Sequence, residues 1–182
     1  MFGELNDREI DALLETRRYG RLGYSLDGEI YIVPINYAWA NGILYGHATK
    51  GSQFAGNATY GTKVRGIRQN DRVAFEVDEI DDPTRWRSVL LHGRVVELTD
   101  RQAKQEAFAR IVAQGGGGER SEVTWAIDLD HLVMFKIEVT QRTGRFEERE
   151  ASALQPGRTG PLPPATHVPY TQAVGAKAEP PS

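Results

Sequence analysis

The sequence predicts a mainly β protein in which six or more short antiparallel strands close into a small barrel, with two or three helices at its rim. Strand-like segments follow one another at short intervals, and two-residue turn signals separate the first of them. Helical patterns occur only near the start, in the middle and before the last strand. Closure is favoured because it removes the unpaired edges of an open sheet. A Rossmann fold is not expected, because strand–helix alternation and a G-x-G-x-x-G motif are missing.

The chain begins with an amphipathic helix in LNDREIDALLETRRYG (5–20). Asn6 or Asp7 is the predicted N-cap, because either side chain can accept hydrogen bonds from the unpaired N–H groups of the first turn. Three apolar residues at helical spacing define the face that is predicted to be buried: Ile10, Leu13 and Leu14.

A three-stranded meander follows this helix. Its strands are RLGYSL (21–26), EIYIVPINYAWA (29–40) and ILYGHAT (43–49). The connections are Asp27-Gly28 and Asn41-Gly42. Both pairs are strong signals for two-residue hairpin turns, because Asn, Asp and Gly tolerate the positive φ angles that such turns require.

A short helix and two long strands are predicted next. The helix runs from Thr62, as its N-cap, to Asn70. The segment DRVAFEVDE (71–79) alternates between apolar and polar residues, which is typical of a half-buried strand. A second strand is RWRSVLLHGRVVEL (85–98), in which Gly93 indicates a bulge or a bend.

The last helix and the last strand complete the predicted barrel. The helix is RQAKQEAFARIVAQ (101–114), with Thr99 or Asp100 as its N-cap. The glycines at positions 115–118 are predicted to end the helix. The strand is HLVMFKIEVTQRTG (131–144).

The composition changes near Glu147. Residues 1–146 form the predicted domain, whereas residues 147–182 are rich in Pro, Gly and Ala and have little periodic apolar content. Such a segment does not bury enough apolar surface to offset the entropy of ordering. The tail is therefore predicted to be mobile or to wrap a neighbouring subunit, with Val168 or Tyr170 as anchors.

Composition also narrows the class of protein. The net charge of −3 gives no overall basic field for nucleic acid, and the absence of cysteine excludes disulfides, thiolate catalysis and cysteine-built metal sites. No stretch approaches the roughly 18 apolar residues of a membrane span, and acidic residues occupy the start of the chain, where a signal peptide would be basic. We therefore predict a cytoplasmic protein that binds neither nucleic acid nor membrane.

Pro34 and Asn36 are unusual residues for the middle of a strand. Proline has no N–H for the ladder, so we expect Pro34 to interrupt the pairing and to free the Val33 carbonyl and the Ile35 N–H for a ligand. Asn36 adds two donors and an acceptor to an apolar segment. The alternative is an edge strand with one outward polar residue.

Three further residues carry candidate polar groups. His47 shares a strand face with Tyr45 and precedes small residues that let a ligand approach the backbone; a structural histidine bonded to a carbonyl is the alternative. Lys63 lies at the start of the short helix, where unpaired backbone N–H groups would bind a phosphate. The alternative is that it belongs to a solvated basic face of an exposed helix. Ser88 is either an inward hydroxyl at the barrel mouth or part of a solvated strand end. The histidines show no metal-ligand spacing, so no metal site is predicted.

Five motifs in order resemble the pyridoxamine 5′-phosphate oxidase-like flavoproteins. They are GEIYIVPINYAW, GILYGHA, GTK, NDRVAFEVDE and WRSVLLHGRVVEL, and the later TGR at Thr143–Arg145 fits the same pattern. The resemblance covers roughly residues 5–145 and is greatest to the branch that contains the nitroimidazole-resistance proteins. It implies a split β-barrel that binds FMN in a cleft at the interface of a homodimer.

The resemblance also implies the site residues. The isoalloxazine ring would meet the backbone of one barrel strand at Val33, Pro34, Ile35 and Asn36, and Ser88 would contact the flavin. The phosphate would be held by His47, Ala48, Thr49 and Lys63. An insertion, KGSQFAGNATY (50–60), departs from the family pattern and makes Lys50 a competitor of Lys63 for the phosphate.

The activity implied by the resemblance is that of an FMN-dependent oxidoreductase. The flavin would carry electrons from NAD(P)H to a small organic molecule such as a nitroaromatic, with His47 as the catalytic residue. Oxidation of pyridoxamine phosphate itself is not expected, because Arg142 and Arg145 alone do not make the arginine-rich substrate site. The alternatives are a flavin- or haem-binding carrier or sensor on the same barrel, and a dimeric scaffold with an empty cleft.

Overall fold

The computed structural model describes residues 1–49, 61–115 and 129–148. These residues form seven strands: β1 (Phe2–Glu4), β2 (Tyr19–Leu26), β3 (Glu29–Ala40), β4 (Ile43–Thr49), β5 (Arg72–Asp82), β6 (Arg85–Glu97) and β7 (Leu132–Glu148). The α-helices are α1 (Asp7–Thr16), α2 (Thr62–Gln69) and α3 (Arg101–Gln114), and a 3-10 turn precedes β7. No helix within these ranges is both long and apolar enough to cross a lipid bilayer.

The sheet closes on itself, which confirms the predicted barrel. The strand order is β1-β7-β4-β3-β2-β5-β6, and β6 also pairs with β7. Six strands therefore form a ring, and β1 is added outside it. All of the pairs are antiparallel. Closure is possible because β7 is 17 residues long and pairs with several neighbours along its length.

Both predicted hairpin turns are present. Asp27 and Gly28 have φ angles of 54° and 84°, and Asn41 and Gly42 have φ angles of 54° and 76°. These left-handed conformations are the ones that Asn, Asp and Gly adopt at low cost. The turns set the register of β2 against β3 and of β3 against β4, and so decide which residues face the core.

The core fills the barrel with large apolar side chains from alternate positions of the strands. Its central members are Leu22, Ile35, Tyr37, Leu44, Phe75, Val89, Leu91, Phe135 and Ile137. The predicted apolar face of α1 joins this cluster through Ile10, Leu13 and Leu14. A second cluster forms on the outside of β3 and β7, where Ala107 and Ile111 of α3 pack with Ala38 and Met134.

Two helix caps agree with the sequence and one does not. Asn6 caps α1 and Asp100 caps α3, each by accepting a hydrogen bond from a backbone N–H of the first turn. In α2 the N-cap is Gly61, and Thr62 is the first helical residue. The prediction of Thr62 as N-cap is therefore wrong. Because glycine has no side chain, the first turn of α2 has no side-chain cap.

The ends of the domain extend further than the sequence predicts. β1 has no counterpart among the predicted strands, because three residues are too few to show alternation; it pairs Phe2 with Glu147 of β7. β7 in turn runs to Glu148, two residues beyond the predicted boundary at 146. The tail beyond residue 148 lies outside the described residues, so its mobility or wrapping stays a prediction.

Gly93 lies at a bulge between β6 and β7, as predicted. His92 is opposite Gln141, but Gly93 is opposite Val139, so the pairing skips one residue of β7. A Cβ atom on Gly93 would lie 2.6 Å from the carbonyl oxygen of Glu138. The two backbones therefore approach too closely here for any side chain.

Replacing Gly93 by alanine is expected to lower the free energy of unfolding by about 1–3 kcal/mol, because β6 and β7 must move apart. Gly23→Ala is the matched control: Gly23 lies within β2, and its added Cβ would contact the Ala74 carbonyl oxygen at an ordinary 3.6 Å. Thermal unfolding of both variants measures the difference. Equal losses of melting temperature would contradict the close approach at Gly93.

Candidate functional site

The barrel is open between β3 and β4 along much of their length. The two strands pair only along residues 37–40 and 43–46. Residues 29–36 of β3 pair with β2 alone, and residues 47–49 of β4 pair with β7 alone. The strands therefore diverge beyond this short ladder. We call the resulting gap the β3–β4 opening.

Pro34 does not interrupt the pairing of β3 with β2, so the expected break is wrong for that side. On the β4 side the ladder ends at Tyr37, and Pro34 has no strand partner there. Pro34 lies opposite Arg21 in a continuous register. Tyr37 directs its N–H toward β2, where the carbonyl oxygen of Arg18, the residue before β2, accepts it at 3.3 Å. A strand residue directs its N–H and carbonyl to one side, and the next residue directs them to the other side. The nitrogen of Pro34 therefore faces the β3–β4 opening, and no ladder bond to β2 is lost.

The same alternation corrects which backbone groups are free. The Val33 carbonyl and the Ile35 N–H face β2, and both side chains pack in or against the core. The backbone groups that remain free on the open side belong to the even positions: the N–H and carbonyl of Ile32, the carbonyl of Pro34 and the N–H of Asn36. A ligand in the opening would meet these groups.

The Asn36 side chain has a structural partner. Its Nδ2 donates to the Arg18 carbonyl at 3.1 Å, the same oxygen that accepts from the Tyr37 N–H. This contact ties the middle of β3 to the residue that leads into β2. The donor of Asn36 is therefore used within the fold, as in the edge-strand alternative.

β4 and α2 bring two predicted site residues together. His47 lies on the outer face of β4, opposite Met134 of β7. The Lys63 ammonium donates to the His47 carbonyl oxygen at 3.3 Å. Ala48, the next residue of β4, packs against Val64, the next residue of α2. The strand end and the helix start thus form one unit at the end of the opening.

His47 and Lys63 are two neighbouring basic groups, and the pKa of each is lowered. Burial, and then the charge of Lys63, lowers the pKa of His47. Burial also lowers the pKa of Lys63. Among the residues that the structure describes, no ion pair includes either side chain. The Nδ1 atom of His47 is buried and has no hydrogen-bond partner among the described residues, so none of their backbone carbonyls satisfies it.

The remaining predicted phosphate ligands are placed differently. Ala48 is buried and offers only its backbone, whereas Thr49 is exposed at the end of β4. Lys50 and the inserted segment 50–60 lie outside the described residues. The choice between Lys50 and Lys63 therefore stays a prediction, although Lys63 is the one seen against His47.

Ser88 does not line the β3–β4 opening of its own subunit. The inward positions of β6 are Val89 and Leu91, so Ser88 faces outward, and the expectation of an inward hydroxyl is wrong. Its Oγ donates to Glu76 Oε1 at 3.1 Å. β2 and β5 separate β6 from β3. Three strand spacings correspond to about 14 Å, which is too far for direct contact with a ring held at β3.

A charged cluster that the sequence analysis missed lies on this outer face. Arg21 donates to Glu76 at 2.9 Å and to Asp78 at 2.8 Å. Ser88 joins the cluster through Glu76. Since Arg21 lies opposite Pro34, the cluster borders the outer face of β3. The alternation of DRVAFEVDE indicated outward acids, but their arginine partner comes from another strand.

An exposed apolar patch adjoins the cluster on β3. Ile30 and Ile32 are 79% and 69% exposed, and Pro34 is exposed beside them. We call these three residues the β3 patch. The segment EIYIVP contained the signal, because its even positions place large apolar side chains on the face where a solvated strand would carry polar ones.

Solved structures with the same architecture include a FAD-binding protein, a proposed antibiotic resistance protein and a flavocytochrome. A FAD-binding protein from Mesorhizobium loti is 27% identical with a TM-score of 0.62, and the match covers 81% of this chain and 99% of that one. A proposed 5-nitroimidazole antibiotic resistance protein from Bacteroides thetaiotaomicron is 20% identical (TM-score 0.65; 80% and 87% covered). A flavocytochrome from Azotobacter vinelandii is 13% identical (TM-score 0.57; 91% and 87% covered). The last two likenesses show the fold alone.

Sequence comparison points the same way. An uncharacterised protein of Rhizobium meliloti (strain 1021) is 28% identical over 98 residues, which span 54% of this chain and 58% of that relative. The match therefore extends over little more than half of the relative's length. The sequence model of the pyridoxamine 5′-phosphate oxidase family matches residues 6–146. This range includes α1, the His47–Lys63 pair and the strands of the closed ring except for the last two residues of β7. Because this match covers most of the chain, the protein belongs to the pyridoxamine 5′-phosphate oxidase family.

Proposed function

We propose that the protein is an FMN-dependent oxidoreductase that reduces or oxidises a small organic molecule. The observation that carries the proposal is the His47–Lys63 pair at the end of the β3–β4 opening. It holds two basic groups without a carboxylate partner in the described part of the chain. Membership of the family and the likeness to a FAD-binding protein at 27% identity support a flavin as the ligand.

The residues present fit a phosphorylated flavin. Lys63 and the uncapped first turn of α2 would hold the phosphate, because an ammonium group and unpaired N–H groups both favour a dianion. The free backbone groups at Ile32, Pro34 and Asn36 would meet the polar edge of the ring. FMN is the proposed flavin because it ends at the phosphate that this pair would bind.

His47 is the proposed catalytic residue. A bound flavin would supply the electron chemistry, and the chain would bind, orient and protonate. Because burial and Lys63 lower the pKa of His47, its imidazole is neutral at neutral pH. That neutral state belongs to the protein without flavin. An imidazole on the outer face of β4 is able to exchange a proton with a substrate, because its pKa lies close enough to neutral pH for either form to be reached.

We also propose a homodimer built on the outer face of β3. The β3 patch exposes apolar side chains that a second copy would cover, and the neighbouring Arg21 cluster would supply polar contacts. A second subunit would also explain Ser88. Its hydroxyl is too far from the opening of its own chain and would contact the flavin of the partner.

A flavin- or haem-binding carrier is the second candidate. Within residues 1–49, 61–115 and 129–148, no carboxylate forms an ion pair with His47, so a defined acid–base pair is not evident. The flavocytochrome with the same fold shows that such a barrel occurs in a protein of that kind. The two candidates differ in whether the bound group turns over.

Lys63→Ala is expected to weaken FMN binding about 10–100-fold, because one charge-assisted hydrogen bond to the phosphate is worth about 1.5–3 kcal/mol. Quenching of flavin fluorescence during titration measures the dissociation constant. Arg65→Ala is the matched control: it removes a positive charge from the same helix, but Arg65 is exposed and pairs with Asp27. Equal effects of the two substitutions would mean that Lys63 is only a surface charge.

Anaerobic addition of NADH or NADPH to the FMN-loaded protein is expected to bleach the flavin absorbance near 450 nm, and a nitroaromatic acceptor should restore it. His47→Asn should slow the overall turnover while the protein still binds FMN. A protein that takes up FMN but is reduced by neither nucleotide would favour the carrier. A haem spectrum after purification would favour the haem-binding form of that alternative.

Ile32→Glu is expected to convert the dimer to a monomer, because it places a charge in the centre of the β3 patch. Light scattering after size-exclusion chromatography at micromolar concentration reports the mass. Ile80→Glu is the control, since Ile80 is comparably exposed at 66% but lies on β5 outside the patch. A wild-type protein that elutes as a monomer with bound flavin would rule out the dimer.

A further inference from the structure

We propose that binding of a phosphate group at the His47–Lys63 pair is coupled to the uptake of a proton by His47, so that the site holds its ligand more tightly as pH falls through the neutral range. The inference deepens the proposed function and rests on it in one respect, because the flavin phosphate is taken as the natural anion. It assigns to His47 a second role, as a phosphate ligand that becomes positively charged when the phosphate binds.

The packing of β4 against α2 holds the two basic groups together. Lys63 Nζ lies 3.3 Å from the carbonyl oxygen of His47, and Ala48 packs against Val64 beside this contact. That packing holds the backbones of the two residues next to each other. The buried Nδ1 of His47 lacks a partner inside the fold, so it would gain one from an anion that also contacts Lys63.

The surroundings of the pair supply no counter-charge. From α2, the nearest other cation is Arg65, which pairs with Asp27. From β7, Met134 lies opposite His47, and the first ionisable side chain further along that face is Lys136, which pairs with Glu138 at 2.7 Å.

Two other elements lie near the pair. The one acid of α3, Glu106, is exposed and accepts a hydrogen bond from Gln102 at 3.0 Å. From α3, Arg110 lies over the Tyr45 ring at 5.6 Å. From β3, residues 32–36 contain no ionisable side chain.

Within the described residues, no carboxylate forms an ion pair with His47 or Lys63, and Lys63 is the one charge that shifts the pKa of His47. An external anion would therefore add a negative charge where the pair has no acidic partner among these residues.

Proton uptake follows from this arrangement. In the free protein, burial and the neighbouring Lys63 keep the pKa of His47 below its ordinary value, so the ring is neutral at pH 7. A dianion between the two groups favours the charged form and raises the pKa of His47. A group whose pKa rises on binding takes up a proton. Affinity then increases as pH falls below the pKa of the complex, and it levels off below the pKa of the free protein.

Calorimetric titration in two buffers of different ionisation enthalpy measures the protons that accompany binding. At pH 7.5 we expect FMN to bring a net fraction of a proton into the wild-type complex, and riboflavin, which has no phosphate, to bring none. His47→Asn should abolish the uptake and leave an FMN affinity that changes less than about twofold between pH 6.5 and 8, whereas the wild-type affinity falls by up to tenfold per pH unit.

His92→Asn is the matched control, because His92 is an exposed histidine on β6, away from the pair. It should leave the uptake unchanged. Equal uptake by wild type and His47→Asn, or no uptake by wild type, would overturn the inference even if Lys63 proves to hold the flavin.

The flavin proposal and the proton coupling fail separately. One outcome is that neither FMN nor riboflavin binds, but inorganic phosphate or pyrophosphate binds with a proton uptake that His47→Asn abolishes. This result would contradict the flavin function and support the proton coupling. If no phosphate compound binds at all, both fall. Circular dichroism of the His47→Asn variant establishes that it is folded before either result is read.

Discussion

The divergence of β3 from β4 is the constraint on which the rest of the structure depends. The strands pair as far as Tyr37 and Gly46 and then separate. Gly46 is needed at this point, because a Cβ there would lie 2.7 Å from the Phe135 ring. Beyond this point β3 remains paired with β2, and β4 remains paired with β7. The barrel therefore stays closed elsewhere, while β3 and β4 each have one unpaired edge. Free backbone groups must find a partner in water or in a ligand.

The opening also explains why the two basic side chains, His47 and Lys63, lie at this point of a barrel with an apolar core. Since β4 has no β3 neighbour beyond Gly46, α2 approaches its end, and Lys63 reaches the backbone of His47. Two basic groups with lowered pKa values, and with no counter-ion among the described residues, oppose stability. Such arrangements are typical of sites that bind something, because the missing charge is supplied by the ligand.

The fold is shared by proteins with different chemistry, and so the barrel alone does not determine the activity. The likeness to a FAD-binding protein and to a flavocytochrome shows how widely this architecture is used. In this chain the distinguishing features are local: the basic pair, the apolar β3 patch, and the cluster of Arg21, Glu76 and Asp78 beside it.

Much of the fold was determined by the sequence itself, because its signals are local. Asp27-Gly28 and Asn41-Gly42 set the hairpins through their φ preferences, the spacing of Ile10, Leu13 and Leu14 set the buried face of α1, and Gly93 marked the bulge. The order of the motifs also indicated the family, and with it the pairing of His47 with Lys63. None of these signals needs knowledge of a distant segment.

Only the tertiary structure decided which side of a strand is free. Alternation shows that the backbone groups of Pro34 and Val33 point to opposite sides of β3. Which side lacks a partner depends on the path of β4, and that path is set by its pairing with β7, which lies some ninety residues later in the chain. β1 exists only because β7 passes beside it, and Ser88 faces outward because Val89 and Leu91 fill the core. These choices rest on contacts between segments far apart in sequence, which no local pattern encodes.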